Sequence, residues 1–117
     1  MFRIWEYGTE NTRVFLLLSA GKREGLKKEW EKALQNLAQN YHVIVPEFYQ
    51  ENAVEYEKHV KELAQWLQRQ KTFYLCSLKT GWKTTRILLN NYHIRPARTV
   101  LELQHSSPES LLAQIAL

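Results

Sequence analysis

The sequence contains no aspartate and a single cysteine, and both scarcities limit the chemistry that it can support. Any catalytic carboxylate or acidic metal ligand would have to be a glutamate. No spacing of His, Cys and Glu is typical of a metal site. The lone Cys76 cannot form an internal disulfide, so nothing in the sequence requires an oxidising compartment. We therefore expect no metal, no cofactor and a cytoplasmic location.

Long apolar runs are also missing. The longest, Val14–Leu18, has the length of a strand and falls far short of the ~20 residues needed to cross a bilayer. The polar, charged opening over residues 1–13 does not suit a signal peptide. With 44% apolar residues and no linker or repeat, residues 1–117 are expected to form one globular domain with no membrane partner.

Positive charge is unevenly distributed along the chain. Residues 1–60 carry 8 Lys/Arg and 9 Glu, whereas residues 61–117 carry 8 Lys/Arg and 3 Glu. A basic half is compatible with nucleic-acid binding. These cations are spaced singly rather than in an Arg-rich run, so we interpret most of them as solvated surface and do not expect a nucleic-acid partner.

Short apolar runs alternate with segments of helical periodicity. The segment Phe2–Tyr7 alternates apolar and polar residues, as a half-exposed strand would. Four continuous apolar runs predict strands that are covered on both faces: Arg13–Leu18, His42–Val45, Thr72–Leu75 and Thr99–Leu103. Apolar stripes at helical spacing predict helices after these runs, over residues 24–41, 53–67, 80–92 and 107–117. Asn52 is predicted to cap the second helix, and Pro108 to lie in the first turn of the last.

The predicted order is one strand followed by four strand–helix units. It indicates an α/β fold with a mostly parallel sheet of about five strands and helices on both faces, in three layers. Such a sheet has an open edge at its last strand, which soluble proteins must protect. We expect that the final helix covers this edge or that two copies pair as a homodimer.

Three segments resemble the α/β-hydrolase family. TRVFLLLSAG (12–21) is similar to the third strand and the following loop, and WEKALQNLAQNYHVIVPEF (30–48) to the first helix and fourth strand. KTFYLCSLKTGWKTTRILLN (71–90) is similar to the fifth strand, the nucleophile elbow and the next helix. The resemblance extends over residues 7–103. It implies the fold of that family, in a truncated and degenerate member that stops after the equivalent of the sixth strand.

Leu78 stands at the nucleophile position of this resemblance. In active members, G-x-S-x-G places the nucleophile on a strained strand-to-helix turn; the aligned residues here are Cys76, Ser77, Leu78, Lys79 and Thr80. Leucine has no nucleophilic atom, and the β-branched Thr80 in place of the last glycine indicates a relaxed turn. The HG pair of the preceding loop and the family's histidine are also missing. The resemblance therefore implies a non-catalytic pseudoenzyme that acts through binding or assembly.

A different set of residues offers an alternative. Cys76 or Ser77 could act as nucleophile with His105 as base and Glu102 orienting it, in an esterase-like or thioesterase-like hydrolase. Against this, a buried cysteine more often behaves as a small hydrophobe. A weaker alternative is a basic nucleic-acid-binding or anion-binding protein; free N–H groups at the start of the third helix, with Lys79 or Lys83 nearby, could hold an anion.

Parallel sheets bind ligands at the carboxyl ends of their strands. The residues expected to line a ligand pocket at these ends are Ser19, Glu47, Leu78 and Lys79. The pair Phe48-Tyr49 would line this pocket or fold over it as a lid. The occupant would be a small ligand or a protein partner whose identity the sequence does not give.

Histidines and tryptophans outside this region have simpler interpretations. His42, His59 and His93 are interpreted as structural or surface residues. Trp66 lies beside the main apolar stripe of its helix, so we expect it to be partly exposed and consider it an interface candidate.

Overall fold

A computed structural model describes residues 3–20, 23–48, 51–104 and 106–115. The described elements are β1 (Ile4–Tyr7), β2 (Val14–Leu18), α1 (Arg23–Leu37), β3 (His42–Pro46), α2 (Ala53–Gln68), β4 (Phe73–Ser77), α3 (Trp82–Arg86), β5 (Arg98–Leu101) and α4 (Pro108–Ala113). A 3₁₀ turn, Lys79–Gly81, precedes α3, and a π-helical turn, Ile87–Asn91, continues it. The predicted order of elements is confirmed. Several residues that entered the predictions lie outside the described ranges: Phe2, Gly21, Tyr49, His105 and the last two residues of the predicted final helix, 116–117.

The strands form one mixed sheet in the order β1-β3-β2-β4-β5. β1 runs antiparallel to β3, and the other neighbouring pairs are parallel. β2 lies at the centre, and all of its residues are buried, as its unbroken apolar run predicts. The prediction of an α/β fold with a mostly parallel sheet of about five strands is therefore confirmed.

Two apolar clusters contain alternate residues of the central strand, because successive side chains of a strand point to opposite faces. Leu16 packs in a cluster with Leu63 of α2 and Leu88 of the π-helical turn. Phe15 packs in the other cluster, which contains Trp30 of α1 and Leu111 of α4. The periodicity that predicted α1 and α2 thus corresponds to the faces that these helices bury.

Helix starts follow the predicted capping residues. Asn52 Oδ1 accepts a hydrogen bond from Glu55 N at 2.8 Å at the start of α2. Ser107 Oγ accepts one from Ser110 N at 3.2 Å at the start of α4, with Pro108 in the first turn. The longest described helix, α2, has 16 residues, and within the described ranges no helix combines the length and apolarity that a membrane span requires.

β5 differs from the prediction of a strand buried on both faces. Only Val100 is buried, whereas Leu101 is 43% exposed and Leu103, beyond the end of the strand, is 71% exposed. The reason is that β5 lies at the edge of the sheet with β4 as its described neighbour. α4 packs through Leu111 and Ile115 into the cluster on the α1 face of the sheet. The prediction of a fully covered strand is therefore wrong here.

Candidate functional site

The strand order reverses between β2 and β4, because the chain passes from β2 to β3 on one side and then to β4 on the other. Ligands of open α/β sheets bind at such a point, at the carboxyl ends of the strands. The loop after β2 begins there with Ser19 and Ala20, and the turn after β4 contains Leu78 to Gly81. We call this place the switch point.

Leu78 has an ordinary extended backbone, with φ −72° and ψ 162°. Its N–H donates to Leu18 O at 3.0 Å, which prolongs the pairing of β4 with β2. The side chain is half-buried and packs against the cluster that contains Cys76. The turn therefore lacks the strained geometry of a nucleophile elbow at this residue, and the predicted relaxed turn is confirmed.

Gly81 allows the 3₁₀ turn to lie directly on the end of β2. A Cβ atom at this position would lie 2.4 Å from Leu18 O and 2.6 Å from Leu18 C, closer than real Cβ contacts allow. Because both contacts are to backbone atoms, no side-chain rotation could relieve them. Glycine is therefore required, and its absence of a side chain brings Thr80 next to the loop after β2.

Thr80 joins the two segments of the switch point. Its Oγ1 accepts a hydrogen bond from Ala20 N at 3.2 Å and lies 3.3 Å from Ser19 Oγ. These residues are 60 and 61 positions apart in the chain. The backbone N–H of Ala20 is thus bound by a side chain of the protein itself.

Glu102 occupies the other side of the turn. Its Oε1 accepts a hydrogen bond from Lys79 N at 3.1 Å. Its own N–H donates to Ser77 O at 2.9 Å, which fixes the residue directly after β5 against β4. A carboxylate therefore lies at the amino end of the 3₁₀ turn, where it binds an otherwise free N–H group.

The alternative nucleophiles point to opposite faces of β4. Cys76 is fully buried in the α1-side cluster, and burial, followed by the nearby negative charge of Glu102, raises the pKa of its thiol to about 12. Ser77 Oγ accepts a hydrogen bond from Thr85 Oγ1 at 2.7 Å and donates to Leu78 O at 3.2 Å. Within the described residues neither side chain contacts an imidazole, and His105 lies outside them.

The predicted pocket residues do not all meet. Ser19, Leu78 and Lys79 lie together at the switch point. Glu47 is directed toward β1, where its Oε2 accepts a hydrogen bond from Trp5 Nε1 at 3.1 Å. Phe48 is buried in the α2-side cluster, and Tyr49 lies outside the described residues.

A cleft of about 500 Å³, which we call the β1–α2 cleft, lies between α2 and the β1–β3 part of the sheet. Apolar side chains of Ile4, Ile44 and Leu63 line it, together with Trp66. At one end, His42 Nε2 lies 2.7 Å from Glu6 Oε2, and the Trp66 ring stands edge-on to the imidazole at 6.3 Å. The sequence pointed to this region only through the position of Trp66.

His42 and His59 each lie beside a glutamate. His42 pairs with Glu6 across the two strands, and His59 Nδ1 pairs with Glu51 at the start of α2. Both contacts support the interpretation of these histidines as structural residues. In the part of the chain that the structure describes, no three His, Cys or Glu side chains are placed to hold a metal ion.

Comparison with known proteins gives no relative for this chain: a scan against protein-family models finds no match, and a search of curated proteins finds none. The functional interpretation therefore rests on the contacts described above and on the resemblance of the three sequence segments.

Proposed function

We propose that the chain is a non-catalytic α/β-hydrolase-like domain of three layers that acts through binding or assembly. The observation that carries the proposal is that Ala20 N and Lys79 N are both hydrogen-bonded to side chains of the protein. In hydrolases with a nucleophile elbow, the oxyanion hole consists of the N–H of the residue after the nucleophile and an N–H from the loop after the third strand. In this chain the resemblance assigns these positions to Lys79 and to the loop containing Ala20.

Both donors are unsuited to stabilising an oxyanion. An oxyanion hole needs N–H groups aimed at the point where negative charge develops, and losing one donor reduces turnover by about 10²–10³-fold. Here the Glu102 carboxylate accepts the hydrogen bond of the Lys79 backbone N–H, and Thr80 Oγ1 accepts that of the Ala20 backbone N–H. Leu78 also lacks a nucleophilic atom. On this proposal the turn supplies neither the nucleophile nor the free N–H donors that acyl transfer needs.

The sheet supports the relationship to the family. β2, which resembles the third strand, lies between β3 and β4, which resemble the fourth and fifth, as in that family's sheet. The separate clusters with α1 and α4 on one side, and with α2 and the π-helical turn on the other, favour a three-layer arrangement.

The β1–α2 cleft supports the binding part of the proposal. Its volume of about 500 Å³ lies within the ~300–1,000 Å³ range of small-molecule sites. Such sites combine apolar and aromatic walls with polar groups that orient the ligand. Here Ile4, Ile44, Leu63 and Trp66 form the apolar and aromatic wall, and the polar or charged lining residues are Glu6, His42, Glu62, Gln65 and Arg69. The ligand that fits this chemistry is a small molecule with an apolar or aromatic body.

An ester-turnover assay tests the loss of catalysis. We expect the chain to hydrolyse p-nitrophenyl acetate no faster than the double variant Cys76→Ala/Ser77→Ala, because both side chains are buried and Ser77 Oγ is hydrogen-bonded within the protein. Turnover that disappears in Cys76→Ala, Ser77→Ala or His105→Ala, but persists in the control Ser106→Ala, would contradict the proposal and favour the hydrolase alternative.

A fluorescence titration with 8-anilinonaphthalene-1-sulfonate tests the cleft. We expect saturable binding that weakens about tenfold or more in Trp66→Ala, equivalent to about 1.4 kcal/mol. The control Val54→Ala removes an apolar side chain that is 77% exposed and outside the cleft lining. Equal affinities in the two variants, or no saturable binding by the unsubstituted chain, would remove the cleft from the proposal.

A further inference from the structure

A second cleft lies at the amino-terminal end of the sheet, away from the switch point. It has a volume of about 230 Å³ and forms where the α2–β4 connection meets the α3–β5 connection. Its lining includes Phe73, the first residue of β4, and the charged or titratable side chains of Lys71, His93 and Arg95. We call it the His93 cleft.

Hydrogen bonds hold the two connections together. Gln68 Nε2 donates to Tyr92 O at 3.3 Å, and Ala97 N donates to Phe73 O at 2.9 Å. Ile94 is buried, and its N–H donates to Leu88 O at 3.0 Å. The walls of the cleft are therefore tied to the core and do not depend on a ligand for their arrangement.

The positive charge of the cleft is not neutralised within the described structure. Lys71 and Arg95 are basic side chains, and none of the described lining residues is a carboxylate. Neither side chain forms an ion pair or hydrogen bond with another described residue. The sequence has no acidic residue between Glu62 and Glu102, so nearby chain segments supply no compensating charge. An unneutralised pair of cations in a concave site favours an anionic ligand.

The backbone at His93 is in an uncommon conformation. Its φ of 55° is the one positive φ of a non-glycine residue among the described residues. A Cβ atom disfavours this region, where glycine is accommodated readily. The π-helical turn Ile87–Asn91 comes directly before it, and such turns are frequent at functional sites. His93 nevertheless carries an imidazole at this position, and it belongs to the same lining as Lys71 and Arg95.

We propose that the His93 cleft binds a phosphate group. A phosphate monoester carries about −1.5 to −2 charges at pH 7, which matches the combined charge of Lys71 and Arg95. The Arg95 guanidinium offers paired donors for phosphate oxygens, and Lys71 adds a mobile ammonium group. The phosphate belongs either to a small phosphorylated molecule or to the backbone of a nucleic acid, in which each phosphodiester carries one negative charge and two neighbouring phosphates would balance the two cations. This site is separate from the switch point and does not depend on the function proposed for it.

The first test uses inorganic phosphate and the full chain. In a titration at constant ionic strength, ¹H–¹⁵N spectra are expected to show saturable shifts of amides in residues 68–71 and 93–95. The double variant Lys71→Gln/Arg95→Gln is expected to raise the dissociation constant about tenfold or more, because it removes both charge-assisted contacts. The control Lys58→Gln/Lys61→Gln removes the same charge from exposed positions of α2 and should leave the dissociation constant unchanged.

Two results would overturn the site. One is an absence of saturable shifts in the unsubstituted chain, and the other is an equal loss of affinity in the two double variants, which would mean that only net charge matters. The variant His93→Gly keeps access to the backbone conformation without the imidazole. We expect it to raise the midpoint of thermal unfolding while weakening phosphate binding; unchanged binding would contradict the role of His93.

The second test distinguishes the sources of the phosphate. Adenosine 5′-monophosphate represents a small molecule, and a twelve-residue oligothymidylate represents a nucleic acid. Tighter binding of the oligonucleotide would assign the site to a nucleic-acid strand, provided that its salt dependence also changes in Lys71→Gln/Arg95→Gln. The slope of the logarithm of the binding constant against the logarithm of the salt concentration should then become smaller in magnitude by about 1.4. Preference for the mononucleotide would assign it to a small molecule. Oligonucleotide binding that the double variant does not change would exclude the nucleic-acid source for this cleft.

Discussion

Thr85 Oγ1 donates a hydrogen bond of 2.7 Å to Ser77 Oγ, and both side chains are buried. Thr85 lies on α3 and Ser77 is the last residue of β4, so the bond joins the helix to the sheet directly below the turn at Leu78. Ser77 Oγ also donates to Leu78 O at 3.2 Å. The hydroxyl next to the turn is therefore a structural group, engaged both as acceptor and as donor.

Replacing Thr85 with valine tests this structural role. The side chain keeps its shape but loses the donor, so Ser77 Oγ loses its buried partner. We expect Thr85→Val to lower the free energy of unfolding by about 1–2 kcal/mol in urea denaturation. The control Thr72→Val, at an exposed position before β4, should change it by less than about 0.5 kcal/mol. Equal effects of the two substitutions would show that the bond contributes nothing specific.

Two glycine-to-alanine substitutions should act in opposite directions. In Gly81→Ala the new Cβ would collide with the Leu18 backbone, so we expect a loss of about 1–3 kcal/mol of unfolding free energy. In Gly25→Ala, within α1, the new Cβ would meet nothing within 4 Å beyond its chain neighbours and the backbone of its own helix, so we expect a gain of about 0.5–1 kcal/mol from helix propensity. Thermal or urea denaturation measures both. Tolerance of alanine at Gly81 would mean that the turn does not need to lie against β2.

Burial of Cys76 predicts a dependence of stability on alkaline pH. The pKa of its thiol rises from its ordinary value of 9.0 to about 12 in the folded protein. The unfolded state therefore releases this proton first as pH rises. The stability associated with the protonated thiol is complete below pH 9 and is lost progressively as pH rises from 9 to about 12, by up to about 4 kcal/mol.

The variant Cys76→Ala isolates this contribution from other groups that titrate in the same range. We expect the difference in unfolding free energy between the unsubstituted chain and Cys76→Ala to decrease steadily above pH 9. Thiol labelling with 5,5′-dithiobis(2-nitrobenzoate) at pH 8 should be slow in the folded state and fast in urea. A difference between the two chains that stays constant from pH 8 to pH 11 would contradict the burial of the thiol.

The exposed edge of β5 makes a prediction about assembly. Leu101 and Leu103 are exposed apolar residues at and beyond an open strand, and edge pairing between two copies would cover them. For the proposed homodimer we expect light scattering to give twice the chain mass at high concentration. Leu101→Lys should return the mass to that of one chain, whereas Val54→Lys on α2 should not. A single-chain mass at every concentration would remove the homodimer.

The sequence was a good guide to elements whose burial is complete or regular. β2 is an unbroken apolar run because both of its faces are covered, and α1 and α2 have apolar stripes because each buries one face. The prediction for β5 was wrong because Thr99–Leu103 has the composition of a strand covered on both faces. The exposure of β5 depends instead on which elements lie beside it in the sheet. Position in the sheet is a property of the whole topology, and local composition does not encode it.

The contacts at the switch point were beyond sequence reasoning for a different reason. Thr80 and Ala20 are 60 residues apart, and Lys79 and Glu102 are 23 apart, so no local pattern marks their hydrogen bonds. The position of Leu78 in the turn was predictable, because it follows directly from the register of β4. The two clefts depend on how helices pack against the sheet, and only Trp66 and the uneven charge hinted at them.

The central position of β2 has a consequence for synthesis of the protein. β2 is synthesised before one of its two neighbours, β4, which is complete only at Ser77. Until then the nascent chain carries an apolar strand with an unpaired edge, the kind of surface that promotes aggregation. The sheet can therefore close around β2 only after residues 73–77 have been made.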